Sequence, residues 1–244
     1  MRKVYGPKSY WGYSHCVTVI AHLSDPHIDL SDVLLDRLRS VVDRLSVVDA
    51  ILVTGDIADH GLDTEYRAFL GEFPSHPRVV VPGNHDDRAM FERALGSRNS
   101  VLDLDDVRIV GLDSSVPGED YGLLDAETLD FARDAIASAP GSVVLAMHHH
   151  SVPVGHPIID ATALRNAEQL AALIAPPVIA LFTGHVHTAV SSSFAGVPAI
   201  GAPGIASTLR LDLPARIATT QPPVPGFVVH TIDAAGLRSR FVGV

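Results

Sequence analysis

The stretch Val79-Val80-Val81-Pro82-Gly83-Asn84-His85-Asp86-Asp87 carries the clearest signal of fold and function in the chain. Its three β-branched residues predict the end of a buried strand, which Pro82-Gly83 ends with a sharp turn. The turn then presents an amide, an imidazole and two carboxylates, a cluster that is costly to hold together unless a metal ion or a phosphate lies among the side chains. Taken alone, the stretch is equally compatible with an ordinary strand-to-helix loop in which Asp86 is the N-cap of a helix over residues 87–95.

The composition is that of a folded, acidic protein. The chain has 244 residues, of which 47% are hydrophobic and 19% charged, enough to bury a full core. Its formal net charge of -10 argues against long nucleic acid as a partner, and a nuclease is further disfavoured because the sequence has no basic stripe. A small phosphorylated substrate is compatible with this charge, since bound metal ions reverse the local sign.

Two observations predict a cytoplasmic protein without membrane insertion. Cys16 is the only cysteine, so an internal disulfide cannot form. Residues 1–15 lack the apolar segment of a signal peptide, and the longest apolar runs are too short to span a bilayer. We predict an N-terminal extension over residues 1–16 and a single domain over residues 17–244.

Apolar segments alternate with helical periodicity as far as residue 187, which predicts an α/β fold. The predicted strands cover residues 17–23, 50–54, 78–81, 107–112, 142–147 and 178–182. The predicted helices begin after Ser31, at residue 63 or 64, and after Asp125, and another covers residues 162–175. Short alternating segments follow, with a Pro-rich surface loop at 221–225. This order predicts two sheets packed face to face with helices outside.

Aspartate, asparagine or histidine follows the carboxyl end of five predicted strands, at the sheet edge where α/β proteins bind ligands. Asp25 and His27 are two positions apart, so in extended backbone, which Pro26 favours, their side chains point the same way. The residues that share this placement are Asp25, His27, Asp56, Asn84, His85, His148, His185 and His187.

The donor types in this set suit two hard-to-borderline divalent ions. Without His85, the set contains three oxygen donors and four imidazoles, and it has no thiolate. Two neighbouring ions need a bridging anion, for which Asp56 is the best candidate because Gly55 permits close backbone approach. A single zinc ion is the competing metal site, but it would leave about three of the donors without a role.

Five motifs resemble, in the same order, the signature blocks of calcineurin-like metallophosphoesterases. They are Asp25-Pro26-His27, Gly55-Asp56 with Asp59, Gly83-Asn84-His85-Asp86, His148, and Gly184-His185-Val186-His187. The run His148-His149-His150 and the segment Leu164-Arg165-Asn166-Ala167 further resemble the class III cyclic-nucleotide phosphodiesterase branch. The resemblance runs from about residue 17 to residue 187.

The resemblance implies a four-layer αββα sandwich of two mixed sheets flanked by helices, with two metal ions, iron and manganese or else zinc or others. The ligands it implies for the first ion are Asp25, His27, Asp56 and His187, and those for the second are Asp56, Asn84, His148 and His185. Asn84, His85 and His149 are then expected to contact the substrate. Relatives are often homodimers.

The implied activity is hydrolysis of 3′,5′-cyclic AMP to 5′-AMP, by in-line attack of a metal-bound hydroxide with His85 protonating the leaving alkoxide. A broad phosphodiesterase or phosphatase acting on 2′,3′-cyclic nucleotides, glycerophosphodiesters or phosphomonoesters is the alternative. A non-catalytic, metal-stabilised nucleotide-binding protein is a more remote one.

Other polar residues receive supporting roles. Asp59 stands where relatives often carry asparagine, so we expect it behind the ligands and not among them. Asp113-Ser114 is expected to hydrogen-bond a metal-bound histidine. His149 and His150 are expected to orient His148 or to face the substrate, whereas His22 alternates within a strand and is expected to be a hydrogen-bonded core residue. The segment after residue 187 is short, without an obvious cap domain.

Overall fold

The secondary structure follows the predicted alternation of strands and helices. The computed structural model describes residues 17–45, 47–73, 75–212, 216–220 and 225–244. The strands are β1 (Thr18–Leu23), β2 (Ala50–Thr54), β3 (Arg78–Val81), β4 (Ser100–Leu104), β5 (Val107–Gly111), β6 (Ser142–Ala146), β7 (Val178–Thr183), β8 (Val190–Phe194), β9 (Val197–Gly201), β10 (Thr208–Leu209), β11 (Thr219–Thr220), β12 (Gly226–Asp233) and β13 (Gly236–Gly243). The helices are α1 (Asp32–Val42), α2 (Asp63–Glu72), α3 (Arg88–Leu95), α4 (Ala126–Ala137), α5 (Pro157–Asp160) and α6 (Ala167–Ala171).

Two predicted segments fall largely on residues that the structure does not describe. The predicted N-terminal extension over residues 1–16, with Cys16, lies outside the described residues. Of the predicted Pro-rich loop at 221–225, only the last residue is described. Among the helices of the described ranges, none has the length and apolar character that crossing a membrane requires.

Both large sheets are mixed. The first has the order β13-β12-β1-β2-β3, in which β1, β2 and β3 run parallel and β12 pairs antiparallel with β1. The second has the order β4-β5-β6-β7-β9-β8, in which the four central strands are parallel and the two edge strands antiparallel. The carboxyl ends of the parallel strands therefore lie at one edge of each sheet.

The helices and sheets form four layers, and an apolar core lies between each neighbouring pair of layers. Between the sheets, residues of the first such as Leu52 pack against residues of the second such as Phe182. The outer face of the first sheet is covered by α1, α2 and α3, and that of the second by α4 and α6. Strands buried on both faces need nearly continuous apolar sequence, which is what β2 and β6 have. The predicted four-layer α/β sandwich is confirmed.

The predicted helix over residues 162–175 is wrong for most of its length. Only Ala167–Ala171 is helical within it. The backbone N–H of Leu164 donates to the carbonyl of His150 (2.9 Å), and the side chain of Asn166 bonds the backbone of Leu124, so tertiary contacts replace helical ones. Strand β4 was not predicted, because an edge strand with alternating polar residues gives a weaker signal than a buried one.

Helix caps were predicted better than helix lengths. Ser31 and Asp125 are N-caps, as predicted, and accept hydrogen bonds from the backbone N–H groups of Leu34 and Thr128. The N-cap of α3, in contrast, is Asp87, whose carboxylate accepts from the N–H of Met90 (2.9 Å). The reading of Asp86 as that cap is therefore wrong.

A chain of buried side chains crosses the core next to the sheet edge. His22 is fully buried and hydrogen-bonds Thr54 Oγ1 (2.9 Å) and His230 Nε2 (3.1 Å), as expected for a core histidine with partners. His230 reaches Ser239 Oγ (2.8 Å) and stacks on Phe182. Burial lowers the pKa of His22 to about 3 and holds the pKa of His230 well below its usual value. Both rings are therefore neutral in the folded protein.

The buried, neutral His22 makes the stability of the metal-free protein sensitive to acid. His22 stays neutral in the folded state but protonates near pH 6.5 when unfolded, so its contribution to the free energy of unfolding is lost as the pH falls below that value. The cost is about 1.4 kcal/mol per pH unit below roughly pH 6. We expect His22→Gln to lose about 2 kcal/mol less stability than the wild type between pH 7.5 and 5.0, measured by urea unfolding in chelator. His60→Gln, which removes an exposed histidine, should not reduce the loss, and an equal pH dependence in wild type and His22→Gln would refute the assignment.

Candidate dinuclear metal centre

The side chains that the sequence singled out converge at the edge formed by the carboxyl ends of β1, β2, β3, β6 and β7. They line or underlie a cleft of about 420 Å³. Asp25 and His148 are fully buried beneath it, and His85 lies at its mouth with 42% of the side chain exposed. All eight predicted residues are therefore brought to one place by strands from both sheets.

Four of these side chains form a first group. Possible ligand atoms of Asp25, His27, Asp56 and His187 all lie within 4.8 Å of one another. The distance from His27 Nε2 to His187 Nε2 is 3.1 Å, and from His187 Nε2 to Asp25 Oδ1 it is 3.3 Å. Asp56 Oδ2 lies 3.4 Å from His27 Nε2. Two carboxylates and two imidazoles thus face a common point.

A second group lies beside the first and shares Asp56 with it. His148 Nε2 lies 3.1 Å from His185 Nδ1, 3.0 Å from Asn84 Oδ1 and 3.4 Å from Asp56 Oδ2. One oxygen of Asp56 is therefore equally far from an imidazole nitrogen in each group. The other oxygen, Oδ1, accepts a hydrogen bond from the backbone N–H of His85 (2.9 Å).

In each of the four imidazoles of the two groups, the ring nitrogen that faces away from the other ligand atoms has a hydrogen-bonding partner. These contacts are His27 Nδ1 to Asp59 Oδ1 (2.9 Å), His148 Nδ1 to Thr54 O (2.7 Å), His185 Nε2 to Thr162 Oγ1 (2.7 Å) and His187 Nδ1 to Ser207 Oγ (2.9 Å). A carboxylate and a carbonyl can only accept, so His27 and His148 carry their proton on the outward nitrogen. Their inward nitrogens then present lone pairs, as metal-bound histidines do.

The two groups have the chemistry of cation sites. Asp25 Oδ1 is buried without a hydrogen-bond partner and faces His187. Burial lowers the pKa of His148, but the carboxylates of Asp56 and Asp25 outweigh it and raise that pKa to about 9. The site thus attracts positive charge even at a fully buried ring. Oxygen and imidazole donors without thiolate suit divalent first-row metals.

The backbone at these residues is strained. Eight described non-glycine residues have positive φ, and five of them belong to the two groups. They are Asp25 (51°), His27 (44°), Asp56 (50°), His185 (67°) and His187 (55°). We predicted that extended backbone would point the side chains of Asp25 and His27 the same way. That prediction is wrong, since both residues have left-handed backbone conformations. Such strain persists only where surrounding contacts impose it, which is typical of functional sites.

Two glycines make room for the groups. A Cβ atom at Gly55, whose φ is +88°, would overlap the ring of His148, and one at Gly83 would overlap the carboxylate of Asp56. Gly55 therefore permits a close approach, as predicted, but the group that approaches it is His148.

Asp86 joins the loops that carry Asp56 and Asn84. Its buried carboxylate accepts hydrogen bonds from the N–H groups of Gly83 (2.8 Å), Ile57 (3.1 Å) and Ala58 (3.1 Å). Burial and the nearby charge of Asp56 raise its pKa to about 6. Two loops from neighbouring strands are thereby held at a constant separation.

His149 lies beside His148, and Ser114 contacts His149. His149 is fully buried, with its ring against those of His148 and His185, and it is not part of the cleft wall. Ser114 Oγ lies 2.9 Å from His149 Nδ1, so its partner is a histidine outside the two groups. Asp113 instead pairs with Arg88 and Arg98. A position within a histidine run does not reveal which ring faces the cleft, because successive side chains point in different directions.

Sequence reasoning missed the groups behind the histidines and the rest of the cleft wall. Thr54, Thr162 and Ser207 belong to no motif and are distant in sequence from the rings that they contact. The remaining wall is mainly apolar, with one acid and one threonine: Leu34, Asp120, Ile159, Ala206, Leu209, Ile217 and Thr219. Among the described residues that line this cleft there is no lysine or arginine, so positive charge for a phosphate would come from bound ions.

Comparison with known proteins points in one direction. The family model described as calcineurin-like phosphoesterase matches residues 18–189. A probable cyclic nucleotide phosphodiesterase of Rhodococcus erythropolis is 33% identical over 73% of this chain and 68% of that protein. A 3′,5′-cyclic adenosine monophosphate phosphodiesterase of Pseudomonas aeruginosa is 35% identical over 69% of this chain and 69% of that protein. The chain thus spans about two thirds of the length of these curated relatives.

The fold also has solved counterparts. A dimetal phosphatase from Danio rerio superposes with a TM-score of 0.71, covering 93% of this chain and 98% of that chain. The two sequences are 14% identical, so this likeness concerns the fold alone.

Proposed function

The chain belongs to the calcineurin-like phosphoesterase family, and we propose that this metallophosphoesterase hydrolyses 3′,5′-cyclic AMP to 5′-AMP. The observation that carries the proposal is the position of Asp56 Oδ2, 3.4 Å from an imidazole nitrogen in each of the two groups. A shared anionic oxygen is what two neighbouring cations require. The similarity to two cyclic nucleotide phosphodiesterases, one of them assigned as probable, supports a cyclic nucleotide as the substrate.

We assign the ligands of the two ions from the two groups. The first ion takes Asp25, His27, Asp56 and His187, and the second takes Asp56, Asn84, His148 and His185. An iron and manganese pair is the proposed content, with zinc as the main substitute, because these metals accept mixed oxygen and imidazole ligands. When bound, the ions polarise the phosphate oxygens and supply a nucleophilic water near neutral pH.

His85 is the proposed general acid. Its Nδ1 donates to the carbonyl oxygen of Asp59 (3.0 Å), which leaves Nε2 as the ring nitrogen for a substrate. Its backbone N–H donates to Asp56 Oδ1, so the residue is held beside the proposed bridging carboxylate. As an imidazolium, which carries a second proton on Nε2, it would protonate the departing alkoxide from its place in the cleft wall.

The charge of the cleft favours diesters over monoesters. Asp59 and Asp120 line the cleft, and no lysine or arginine does so among its described residues. A phosphodiester brings one negative charge to the ions, whereas a phosphomonoester dianion brings a second one close to these carboxylates. The apolar part of the wall, including Ile159 and Leu209, is suited to a nucleoside.

The substrate is tested by a panel under several metals. We expect the value of kcat/KM to be highest for 3′,5′-cyclic AMP, lower for 2′,3′-cyclic AMP and glycerophosphodiesters, and lowest for a phosphomonoester. Assays of the metal-reconstituted protein with iron, manganese and zinc measure this order. A higher kcat/KM for a glycerophosphodiester or for 2′,3′-cyclic AMP would replace the proposed substrate with the broad-specificity alternative.

The bridging role is tested by metal content. Asp56→Ala should lower the occupancy of both ions and leave almost no activity, because the remaining ligands would hold two unscreened cations next to each other. Elemental analysis after reconstitution measures both occupancies. Asp59→Asn is the control, since the amide oxygen of asparagine can still accept a hydrogen bond from the outward nitrogen of His27, and it should retain both ions. One site that stays fully occupied in Asp56→Ala would remove Asp56 from the bridging position.

The general acid is tested by the leaving group. His85→Ala should retain both metals yet lose on the order of 10²–10⁴ in the rate of cyclic AMP hydrolysis. Bis-p-nitrophenyl phosphate should lose less, because p-nitrophenolate leaves without a proton. A variant that is depleted in metal, or that loses the same factor on both substrates, would exclude the role.

A further inference from the structure

Two side chains of the cleft wall contact a proposed metal ligand from outside the five motifs: Ser207, next to β10, contacts His187, and Thr162 contacts His185. Thr162 belongs to the turn that follows α5. Its Oγ1 lies 2.7 Å from His185 Nε2 and 2.8 Å from the carbonyl oxygen of Ile159. The hydroxyl has a single hydrogen, and the carbonyl can only accept. The hydroxyl therefore donates to Ile159 and accepts from His185 Nε2–H.

This direction of hydrogen bonding decides the tautomer of His185. With the proton on Nε2, the lone pair is on Nδ1, which faces His148 Nε2 at 3.1 Å and the second group. The backbone of His185 is left-handed, with φ of 67°, and its ring packs against the rings of His148, His149 and His150, which belong to another loop, as Thr162 does. The ring orientation thus depends on a contact from outside its own loop.

We propose that Thr162 is a positioning residue that sets the tautomer and orientation of His185 and so raises the affinity of the second ion. The proposal rests on the assignment of His185 to that ion. It also gives a role to the segment Leu164-Arg165-Asn166-Ala167, which would hold the Thr162 hydroxyl in place.

The segment after Thr162 is anchored to a neighbouring loop, which keeps the hydroxyl in place. Asn166 Nδ2 donates to the carbonyl oxygen of Leu124 (2.8 Å), and Asn166 Oδ1 accepts from the N–H of the same residue (3.0 Å). The guanidinium of Arg165 lies 3.2 Å from the centroid of the Tyr121 ring. The N–H of Leu164 donates to the carbonyl of His150. The turn therefore has little freedom to move away from His185.

The segment before Thr162 is anchored as well. The carboxylate of Asp160 accepts hydrogen bonds from the N–H groups of Val154 (2.7 Å) and Gly155 (3.2 Å). A purely local role for the hydroxyl is the alternative, because threonine often bonds a carbonyl three or four residues earlier. That role would involve Ile159 alone and would leave the ions unaffected.

The test is a Mn²⁺ titration of the metal-free full chain by calorimetry, together with the electron paramagnetic resonance spectrum of the loaded protein. Thr162→Val has nearly the same shape but no hydroxyl, and it should weaken the second ion by about 10–100-fold while leaving the first unchanged. In the Thr162→Val spectrum at low Mn²⁺ concentration, the signal of two coupled Mn²⁺ ions should be replaced by the signal of a single bound ion. Thr162→Ser keeps the hydroxyl and should bind both ions like the wild type.

Two further variants separate the possible explanations of the titration result. Thr162→Ala, a second variant without the hydroxyl, replaces Thr162→Val if the latter does not fold, as judged by its melting temperature in chelator. An unchanged second ion in the variant without the hydroxyl, equal weakening of both ions, or a serine variant as weak as valine would overturn the proposal. If His185→Ala weakens the second ion but loss of the hydroxyl does not, only the role of Thr162 fails. If His185→Ala leaves that ion unaffected, the ligand assignment fails with it.

Discussion

The molecule depends on the close approach of the Asp56 carboxylate to imidazoles from both sheets. Asp56 follows β2 of the first sheet, and His148 follows β6 of the second, yet Asp56 Oδ2 stands 3.4 Å from His148 and 3.4 Å from His27. Buried carboxylates and lone pairs at this distance repel or remain unsatisfied unless positive charge lies among them. The approach is possible only when the two sheets stack with their carboxyl edges aligned. The apolar layer between the sheets, including Leu52 and Phe182, imposes that alignment.

The cost of this arrangement is visible in the loops. Five of the residues that converge there have left-handed backbone, a conformation that costs of order 1–3 kcal/mol for a residue other than glycine. Gly55 and Gly83 have no Cβ atom, and any Cβ there would overlap His148 or Asp56. Asp86 compensates by accepting three backbone hydrogen bonds that hold two of the loops together. Bound ions would offset part of this destabilisation, because they bind the folded protein and not the unfolded chain.

The site has two kinds of supporting contact, and they differ in origin. His27 and His148 are oriented by Asp59 and by the carbonyl of Thr54, which belong to the loop after β2 and to β2 itself. His185 is oriented by Thr162, on a turn that also places Ile159 in the cleft wall. The groups that orient His27 and His148 therefore belong to the sheet and its loop. The group that orients His185 belongs to a segment that also forms part of the cleft wall.

The sequence alone determined the strand ends, the order of the motifs and the residue types at the sheet edge, because these follow from local periodicity and spacing. It predicted β2 and β3 to the residue, and it assigned Asp25, Asp56, Asn84, His148 and His187 to one edge. It could not place Thr162, Ser207 or Asp86, since hydrogen bonds between distant segments leave no periodic trace. It also misjudged the backbone of Asp25 and His27, and the helix over 162–175. Only the tertiary structure decided those points, because contacts between the packed sheets and their loops outweigh local preference by more than the cost of one strained residue.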